Sequence, residues 1–300
     1  MESKAIVRYE DFGAVGDGIT DDMGAICAAH DYANSHHLLV KSRPDAEYYI
    51  GSGALTAIIE TDTDWSTTRF IIDDRTVENN KIPCFFVRST LQPFAPPIQK
   101  LSRDQKHLDF YPEQACYVKV INSHEKKFIR LGLNQNKGSD QTDWNYEQIT
   151  EAIARPIDDE ALTIHGGIFT TIANQAESVY NYYSRGIEIT RSNTIIDGLT
   201  HYVEGEGMHG SPCRGFLSVM ECANVTIQNC FFTGHKTYRI IGSANLPVNM
   251  GSYDLNANSV VNYTLRNCRM NHITDKTRWG AIGSNFCKNI LVEDCILSRV

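Results

Sequence analysis

A short pattern recurs near the end of the chain as Asn224-Val-Thr-Ile-Gln-Asn-Cys-Phe-Phe232, Asn262-Tyr-Thr-Leu-Arg-Asn-Cys-Arg-Met270 and Asn289-Ile-Leu-Val-Glu-Asp-Cys-Ile-Leu297. Each copy alternates apolar and polar residues, as a half-buried strand does, and continues with Asn or Asp followed by Cys. Weaker copies occur upstream, at Leu162-Thr-Ile-His-Gly-Gly-Ile-Phe169 and Thr194-Ile-Ile-Asp-Gly-Leu199. Such repetition predicts a solenoid that adds one strand to a stack with each repeat.

The spacing of the copies indicates the length of one coil. The copies can be anchored at Gly167, Gly198, Cys230, Cys268 and Cys295, with separations of 31, 32, 38 and 27 residues. These separations suit one coil per repeat, with connecting loops of different lengths. Equivalent residues are then expected one strand spacing apart, roughly 4.8 Å, in columns that run along the solenoid.

The nine cysteines include no Cys-x-x-Cys pair, so neither a zinc ribbon nor a thioredoxin-like motif is indicated. Five of them belong to the repeats: Cys222, Cys230, Cys268, Cys287 and Cys295. Inside a solenoid a thiol packs as a small apolar group. We therefore predict that these cysteines are core residues, without a catalytic role or a disulfide partner.

A second motif lies at the N-terminus and reads Asp11-Phe-Gly-Ala-Val-Gly-Asp-Gly-Ile-Thr-Asp-Asp22. It resembles the N-terminal signature of polygalacturonases, pectate-lyase-superfamily proteins and many phage tailspikes. The resemblance covers residues 9–34 and implies a right-handed parallel β-helix whose bottom is closed by a helix. The helix should follow Thr20 as N-cap and bury Ile26, Ala29 and Ala33 on one face. Hydrolases, lyases and non-cleaving tailspikes share the motif, so it implies the architecture and not the reaction.

These observations predict an all-β fold, a single-stranded right-handed parallel β-helix with an N-terminal capping α-helix. Residues 1–47 should hold the signature and helix, and 48–160 the early coils with an inserted lobe at about 91–145. Within that lobe, 117–121 and 127–131 can form an antiparallel pair. Residues 161–300 should form the regular coils, and we expect the β-helix to be truncated at that end because no polar closing element follows the last repeat.

Charge and hydropathy narrow the classes of partner. The formal net charge of −8 and the pI near 5.7 argue against nucleic acid, which demands a basic surface. No apolar run is long enough for a membrane span or a signal peptide. We expect a polysaccharide or oligosaccharide as partner, a secreted, cell-surface or virion location rather than a cytoplasmic one, and possible homo-oligomerisation, as a trimer if the protein is tailspike-like.

Three polar stretches between the repeated strands, 201–214, 233–254 and 271–279, concentrate acidic, basic and aromatic residues. Long polar insertions on a rigid scaffold are common places for binding and catalysis. The candidate catalytic residues are Asp254, Glu206, His235, Lys236 and Asp275. The candidate substrate-binding residues are His209, Tyr238, Arg239, Tyr253, Arg278 and Trp279. Aromatic faces can cover sugar C–H surfaces, while charged groups hold hydroxyls or uronates.

Each candidate also has a purely structural interpretation. A structural Asp254 bonded to loop groups is as well supported as a catalytic one. Glu206, between two glycines, fits a solvated turn better than a ligand contact, and the basic and aromatic candidates can simply fix loops. No metal motif or cofactor site is found, and Asp158-Asp-Glu160 is interpreted as an exposed turn rather than a calcium site.

Three functions remain open at this point. The leading hypothesis is glycoside hydrolysis by paired carboxylates, Asp254 with Glu206 or Asp275. The chain departs from polygalacturonases, because it has no Asn-Thr-Asp triplet, no Asp-Asp pair in the repeats and no Gly-His-Gly, for which Gly234-His-Lys236 is the nearest match. The second hypothesis is a uronate lyase in which the cluster His235, Lys236, Tyr238 and Arg239 supplies the base and the cation. The third is a tailspike or adhesin that binds glycans without cutting them.

Overall fold

The computed structural model describes residues 6–51, 53–77, 82–96, 114–122, 127–132, 149–174, 185–205, 215–233, 254–271 and 287–298. Apart from a short 3₁₀ turn at Tyr9–Phe12, the single helix in these ranges is α1 (Met23–His36). The strands are β1 (Ile6–Val7), β2 (Asp17–Asp21), β3 (Leu39–Lys41), β4 (Glu47–Ile50), β5 (Ala57–Ile59), β6 (Thr63–Asp73), β7 (Phe85–Val87), β8 (Cys116–Asn122), β9 (Lys127–Gly132), β10 (Ile149–Pro156), β11 (Leu162–Ile172), β12 (Ile187–Ile189), β13 (Thr194–Asp197), β14 (Thr200–Glu204), β15 (Leu217–Met220), β16 (Ala223–Gln228), β17 (Phe231–Phe232), β18 (Leu255–Asn258), β19 (Val261–Arg266), β20 (Arg269–Asn271), β21 (Lys288–Glu293) and β22 (Ile296–Ser298).

The chain winds through three parallel sheets, which confirms the predicted β-helix. Sheet 1 stacks β1, β3, β6, β11, β13, β16, β19 and β21, and sheet 2 stacks β2, β4, β6, β11, β14, β17, β20 and β22. The long strands β6 and β11 bend, so that each contributes to both sheets. Sheet 3 stacks β5, β7, β12, β15 and β18. Strands that are far apart in sequence are thereby vertical neighbours, as the repeats require.

The cysteines form columns inside the β-helix, as predicted. The Sγ atom of Cys295 lies 3.5 Å from the backbone nitrogen of Cys268, and the backbone nitrogen of Arg269 bonds the carbonyl of Cys230, so the three cysteines follow one another in neighbouring coils. In a second column, Val260 lies one coil above Cys222, and Cys287 lies one coil above Val260. All eight cysteines in the described ranges are free, and burial raises the pKa of the Cys222 thiol far above its usual range.

One anchor of the repeat register is wrong by a single residue. The backbone nitrogen of Phe231 bonds the carbonyl of Leu199, so Leu199 and not Gly198 occupies the column of Cys230. Gly198 instead matches Asn229 in the turn between sheets 1 and 2, where both residues have a positive φ, 74° and 56°. That left-handed conformation suits Gly and Asn, which explains why one replaces the other in the repeat.

A ladder of asparagines marks the start of successive coils in sheet 1. The side chain of Asn224 donates to that of Asn193 at 2.8 Å, Asn262 donates to Asn224 at 2.8 Å, and Asn289 donates to Asn262 at 3.0 Å. All four have a φ of 53–58°. The ladder therefore satisfies the amides of residues that the backbone forces into the left-handed region, and it holds neighbouring coils in register.

The N-terminal segment closes the bottom of the β-helix. Helix α1 begins at Met23 with Asp22 as N-cap, and Ile26, Ala29 and Ala33 are fully buried, as predicted. The prediction of Thr20 as N-cap was wrong, because Thr20 lies in β2, which pairs with β4.

The glycine-rich signature loop wraps around a buried carboxylate. Asp22 accepts hydrogen bonds from the backbone nitrogens of Val15 at 2.7 Å and Gly16 at 3.1 Å. Burial raises the pKa of this carboxyl, and these two hydrogen bonds oppose the shift. Asp22 of the motif therefore stabilises the local fold. This role agrees with the expectation that the motif implies the architecture and not the reaction.

Strands β8, β9 and β10 form an antiparallel sheet outside the β-helix, and the expected antiparallel pairing of β8 with β9 is confirmed. The Tyr117 hydroxyl donates to the carbonyl of Ser259 at 2.8 Å, and Glu221 accepts bonds from both Lys119 and Arg155. These contacts fix the antiparallel sheet beside the ends of the sheet 3 strands. The domain limits drawn from the sequence stay predictions.

Candidate functional site

The three polar stretches begin at neighbouring places on the β-helix. They follow or overlap the ends of β14, β17 and β20, which pair one above the other in sheet 2. The chain then re-enters described structure at residues 215 and 254, at the start of β15 and β18 in sheet 3. These stretches therefore leave successive coils along the edge between sheets 2 and 3.

Most of the candidate residues fall outside the described ranges. This holds for Glu206, His209, His235, Lys236, Tyr238, Arg239, Tyr253, Asp275, Arg278 and Trp279. Their roles stay predictions, and Asp254 is the candidate whose surroundings can be examined.

Asp254 lies in the corner between sheets 2 and 3 and is 7% exposed. Its Oδ1 atom is 2.9 Å from Nδ1 of His201, whose Nε2 is 3.0 Å from the Thr171 hydroxyl. The His201 ring stacks on Phe216 with 3.9 Å between centroids. Because a buried carboxylate needs polar partners, this arrangement favours a structural or positioning role for Asp254 over direct contact with a ligand.

A second set of contacts fixes the same edge in an earlier coil. Arg185 donates to Asp74 at 2.8 Å and to the carbonyl of Gly51 at 2.8 Å, and both charged side chains are buried. Desolvation raises the pKa of Asp74 to about 6, although the Arg185 charge opposes the shift. The Arg185 guanidinium, paired with Asp74, links the end of β6 to the chain that enters β12 and so holds these two segments together at the edge.

Sheet 3 carries an outward-facing carboxylate, Glu188, that lies outside the three polar stretches. Ile187 and Ile189 point into the core, so Glu188 between them points outward. Phe86 occupies the same position in the coil below, and Ser218 and Asn256, which are both buried, occupy it in the two coils above. The alternation Ile-Glu-Ile was a usable signal, because it places a carboxylate on the outside of a predicted strand.

A cleft lies over the ends of the sheet 3 strands, between sheet 3 and the antiparallel sheet. Its volume is about 470 Å³, within the range of roughly 300–1,000 Å³ common for ligand sites. It is lined by Glu60, Phe86, Arg88, Ser89, Thr90, Leu91, Gln92, Pro93, Arg155, Pro156, Thr190 and Ser192. These residues come from four distant parts of the chain, so no single sequence motif predicts the cleft.

Two guanidinium groups give the cleft its chemistry. Nε of Arg88 donates to Glu60 at 2.7 Å, and Nη2 of Arg155 donates to Glu221 at 3.2 Å. Nε of Arg155 is buried and has no hydrogen-bond partner in the described structure. The Arg88 and Arg155 side chains are 50% and 35% exposed, so their outer Nη groups can donate to ligand oxygens, while Phe86 and Leu91 provide an apolar wall.

Among the described residues, no group of three or more His, Cys, Asp and Glu side chains could hold a metal ion. Asp158 accepts from the side chain of Asn193 through its carbonyl and pairs with Arg191 at 3.3 Å, in a turn. In the same ranges, no helix is both long and apolar enough to cross a membrane.

Comparison with known proteins bears on the fold. No family model matches the chain, and no curated protein sequence matches it significantly. A protein of Parabacteroides merdae ATCC 43184, provisionally described as a glycosyl hydrolase, superposes with a TM-score of 0.51 at 9% identity, over 98% of this chain and 96% of its own. PfbA, a surface adhesin of Streptococcus pneumoniae, superposes with a TM-score of 0.50 at 15% identity, over 97% of this chain and 57% of its own. At these identities the likeness shows the fold alone, and the chain is a right-handed parallel β-helix.

Proposed function

We propose that this chain binds a polysaccharide or complex glycan across the outer face of sheet 3 and hydrolyses its glycosidic bonds. The observation that carries the proposal is the cleft of about 470 Å³ between sheet 3 and the antiparallel sheet. It borders one side of sheet 3, and the polar stretches that follow sheet 2 begin at the other side. A chain-like ligand lying across sheet 3 would meet both.

The composition of the cleft suits a sugar. Phe86 offers an apolar surface for C–H groups, and the Thr190 hydroxyl, which donates to the carbonyl of Val87, can accept from a sugar hydroxyl. Arg88 and Arg155 can donate several N–H groups to hydroxyl, ring or carboxylate oxygens. Such a mixture of apolar wall and directional polar groups is typical of small-ligand sites.

Hydrolysis would need two carboxylates, about 5–5.5 Å apart for retention or about 6.5–9.5 Å for inversion. We propose Glu188, on the outer face of sheet 3, as one of them. The partner acid would come from the polar stretches, as Glu206 or Asp275. Asp254 would then act as a positioning residue at the corner of the same site, through His201.

A second candidate function, glycan binding without cleavage, is favoured by the burial of Asp254. The carboxylate named first from the sequence is bonded to His201 inside the core, as a purely structural group would be. PfbA, one of the structures similar to this chain, is described as a surface adhesin. Under this reading the protein would act at a cell or virion surface, and a trimer in solution would support it.

A panel of neutral and acidic polysaccharides separates these functions. Hydrolysis predicts new reducing ends from at least one polysaccharide and a loss of at least about a hundredfold in Glu188→Gln, since a proton-transfer group contributes about that much. The exposed turn residue Glu160 supplies the matched control, Glu160→Gln. Products with unsaturated-sugar absorbance would contradict hydrolysis and indicate a lyase. Binding without products would indicate the second function. The absence of both binding and products would refute both functions.

A further inference from the structure

A separate groove lies on the outer face of sheet 2. Its volume is about 360 Å³, and it is lined by Glu47, Arg69, Phe70, Ile71, Ile168, Thr170, Tyr202 and Glu204. The lining comes from β4, β6, β11 and β14, which are stacked neighbours, so the groove runs across four coils. It belongs to a different sheet from the cleft of the proposed function and shares no lining residue with it.

The polar side chains of this groove have no side-chain hydrogen-bond or ion-pair partner among the described residues. This holds for Glu47, Arg69, Thr170, Tyr202 and Glu204. Elsewhere on the outer surface, charged side chains pair with each other, as Arg75 does with Asp73 at 2.6 Å. Lys41 likewise pairs with Asp64 at 3.0 Å. Donors and acceptors left unpaired within one concave surface are the arrangement that an external ligand can satisfy.

An aromatic ring stands beside these groups. Tyr202 is 40% exposed, and its ring centroid lies 5.8 Å from that of Phe231 in the next coil, at a tilt of 54°. This neighbour supports the ring, while one face or edge stays accessible. Ile71 and Ile168 add apolar surface. Apolar surface next to a supported tyrosine suits the C–H face of a sugar ring.

The charge of the groove indicates which sugars it can take. Glu47 and Glu204 outnumber the single cation Arg69, so a polyanion would meet net repulsion. Vicinal hydroxyls of a neutral sugar can donate to carboxylates and accept from a guanidinium at the same time. We propose that the outer face of sheet 2 is a second, non-catalytic glycan-binding site for neutral hexose units.

The site goes beyond the proposed function, because it requires neither cleavage nor the sheet 3 cleft. Affinity electrophoresis in gels containing β-glucan, mannan, galactan or dextran tests it. The Arg88→Ala variant serves as background, so that binding in the sheet 3 cleft is weakened. We expect at least one neutral polysaccharide to retard this protein, and the added change Tyr202→Ala to weaken that retardation roughly tenfold, as expected for the loss of one stacked aromatic contact.

A matched control is Tyr32→Ala, which removes another exposed tyrosine, 45% exposed, from helix α1. Its retardation should equal that of the background protein. Equal retardation of the Tyr202→Ala and Tyr32→Ala proteins would overturn the proposal, as would no retardation by any of the four polysaccharides. Capture of oligolysine that Glu47→Gln abolishes, without capture of sugar, would overturn it in favour of a basic peptide. None of these results decides whether the sheet 3 cleft binds or cleaves a glycan.

Discussion

The Nδ1 atom of His201 and the Oδ1 atom of Asp254 lie 2.9 Å apart in a corner of the β-helix where both side chains are buried. His201 occupies the column that Phe169 and Phe232 fill in neighbouring coils. A polar ring therefore replaces an aromatic one within the core. The pair joins β14 of sheet 2 to the residue that precedes β18 of sheet 3, so it can set the geometry of the edge from which the polar stretches leave.

Replacement of Asp254 should therefore reduce stability. We expect Asp254→Ala to lower the free energy of unfolding by about 1–3 kcal/mol, because it leaves a buried His201 nitrogen without this partner. Urea denaturation measures the change. The control Asp159→Ala removes an exposed turn carboxylate and should change stability by less than about 0.5 kcal/mol. Equal stability of both variants would contradict a structural role for Asp254.

The asparagine ladder makes a prediction about the backbone. Asn224 has a φ of 58° and bonds Asn193 and Asn262. Asn224→Ala should cost about 1–2 kcal/mol for the left-handed backbone, in addition to the lost bonds. Asn224→Gly loses the same bonds without the backbone cost, so it should be the more stable variant in thermal or urea unfolding. An alanine variant as stable as the glycine variant would contradict this explanation.

His30 gives a prediction about pH. It is fully buried in helix α1, where its Nε2 lies 3.0 Å from the hydroxyl of Tyr9, and burial lowers its pKa from 6.5 to about 3. Between these values the unfolded chain holds a proton that the folded chain lacks, so acidification destabilises the fold. The difference in unfolding free energy between wild type and His30→Gln should shrink by about 1.4 kcal/mol per pH unit as pH falls from about 6 to 4. A difference that does not change with pH would contradict a neutral, buried His30.

The fold could be inferred largely because its evidence is local and repeated. Alternation, a turn residue tolerant of positive φ and a small buried residue recur in each coil, and Cys230, Cys268 and Cys295 form the predicted column. The error at Gly198 has the same origin. Gly was aligned with Cys as another small residue, whereas it takes the turn position of Asn229, because both tolerate a left-handed backbone.

The site was harder to infer because it depends on contacts between distant segments. Glu60, Arg88, Arg155 and Thr190 have no shared spacing in sequence, and they meet only after two coils close and the antiparallel sheet docks on Glu221. Titratable residues are densest in the polar stretches, and the density of such residues in the sequence is what pointed to those stretches. That density could not show that Asp254, at the end of one such stretch, turns into the core.

The proposed cleft predicts a specific role for Arg88. Arg88→Ala should weaken glycan binding at sheet 3 about ten- to a hundredfold, the range expected when a charge-assisted hydrogen bond is lost. Arg266→Ala is the matched control, because Arg266 pairs with Glu293 as Arg88 pairs with Glu60, and both arginines are 50% exposed. Isothermal titration with a retained glycan measures both affinities. Equal losses in the two variants would contradict a site at Arg88.

Hydroxyl-radical footprinting tests the position of the glycan on the β-helix most directly. The protein is oxidised with and without a saturating amount of a polysaccharide that it binds, and oxidation of each side chain is compared by mass spectrometry. Binding across sheet 3 predicts protection of Phe86 and Leu91 in the cleft, while Ile296 at the far end of sheet 2 keeps its reactivity. Unchanged oxidation of Phe86 and Leu91 under saturating glycan would contradict the account.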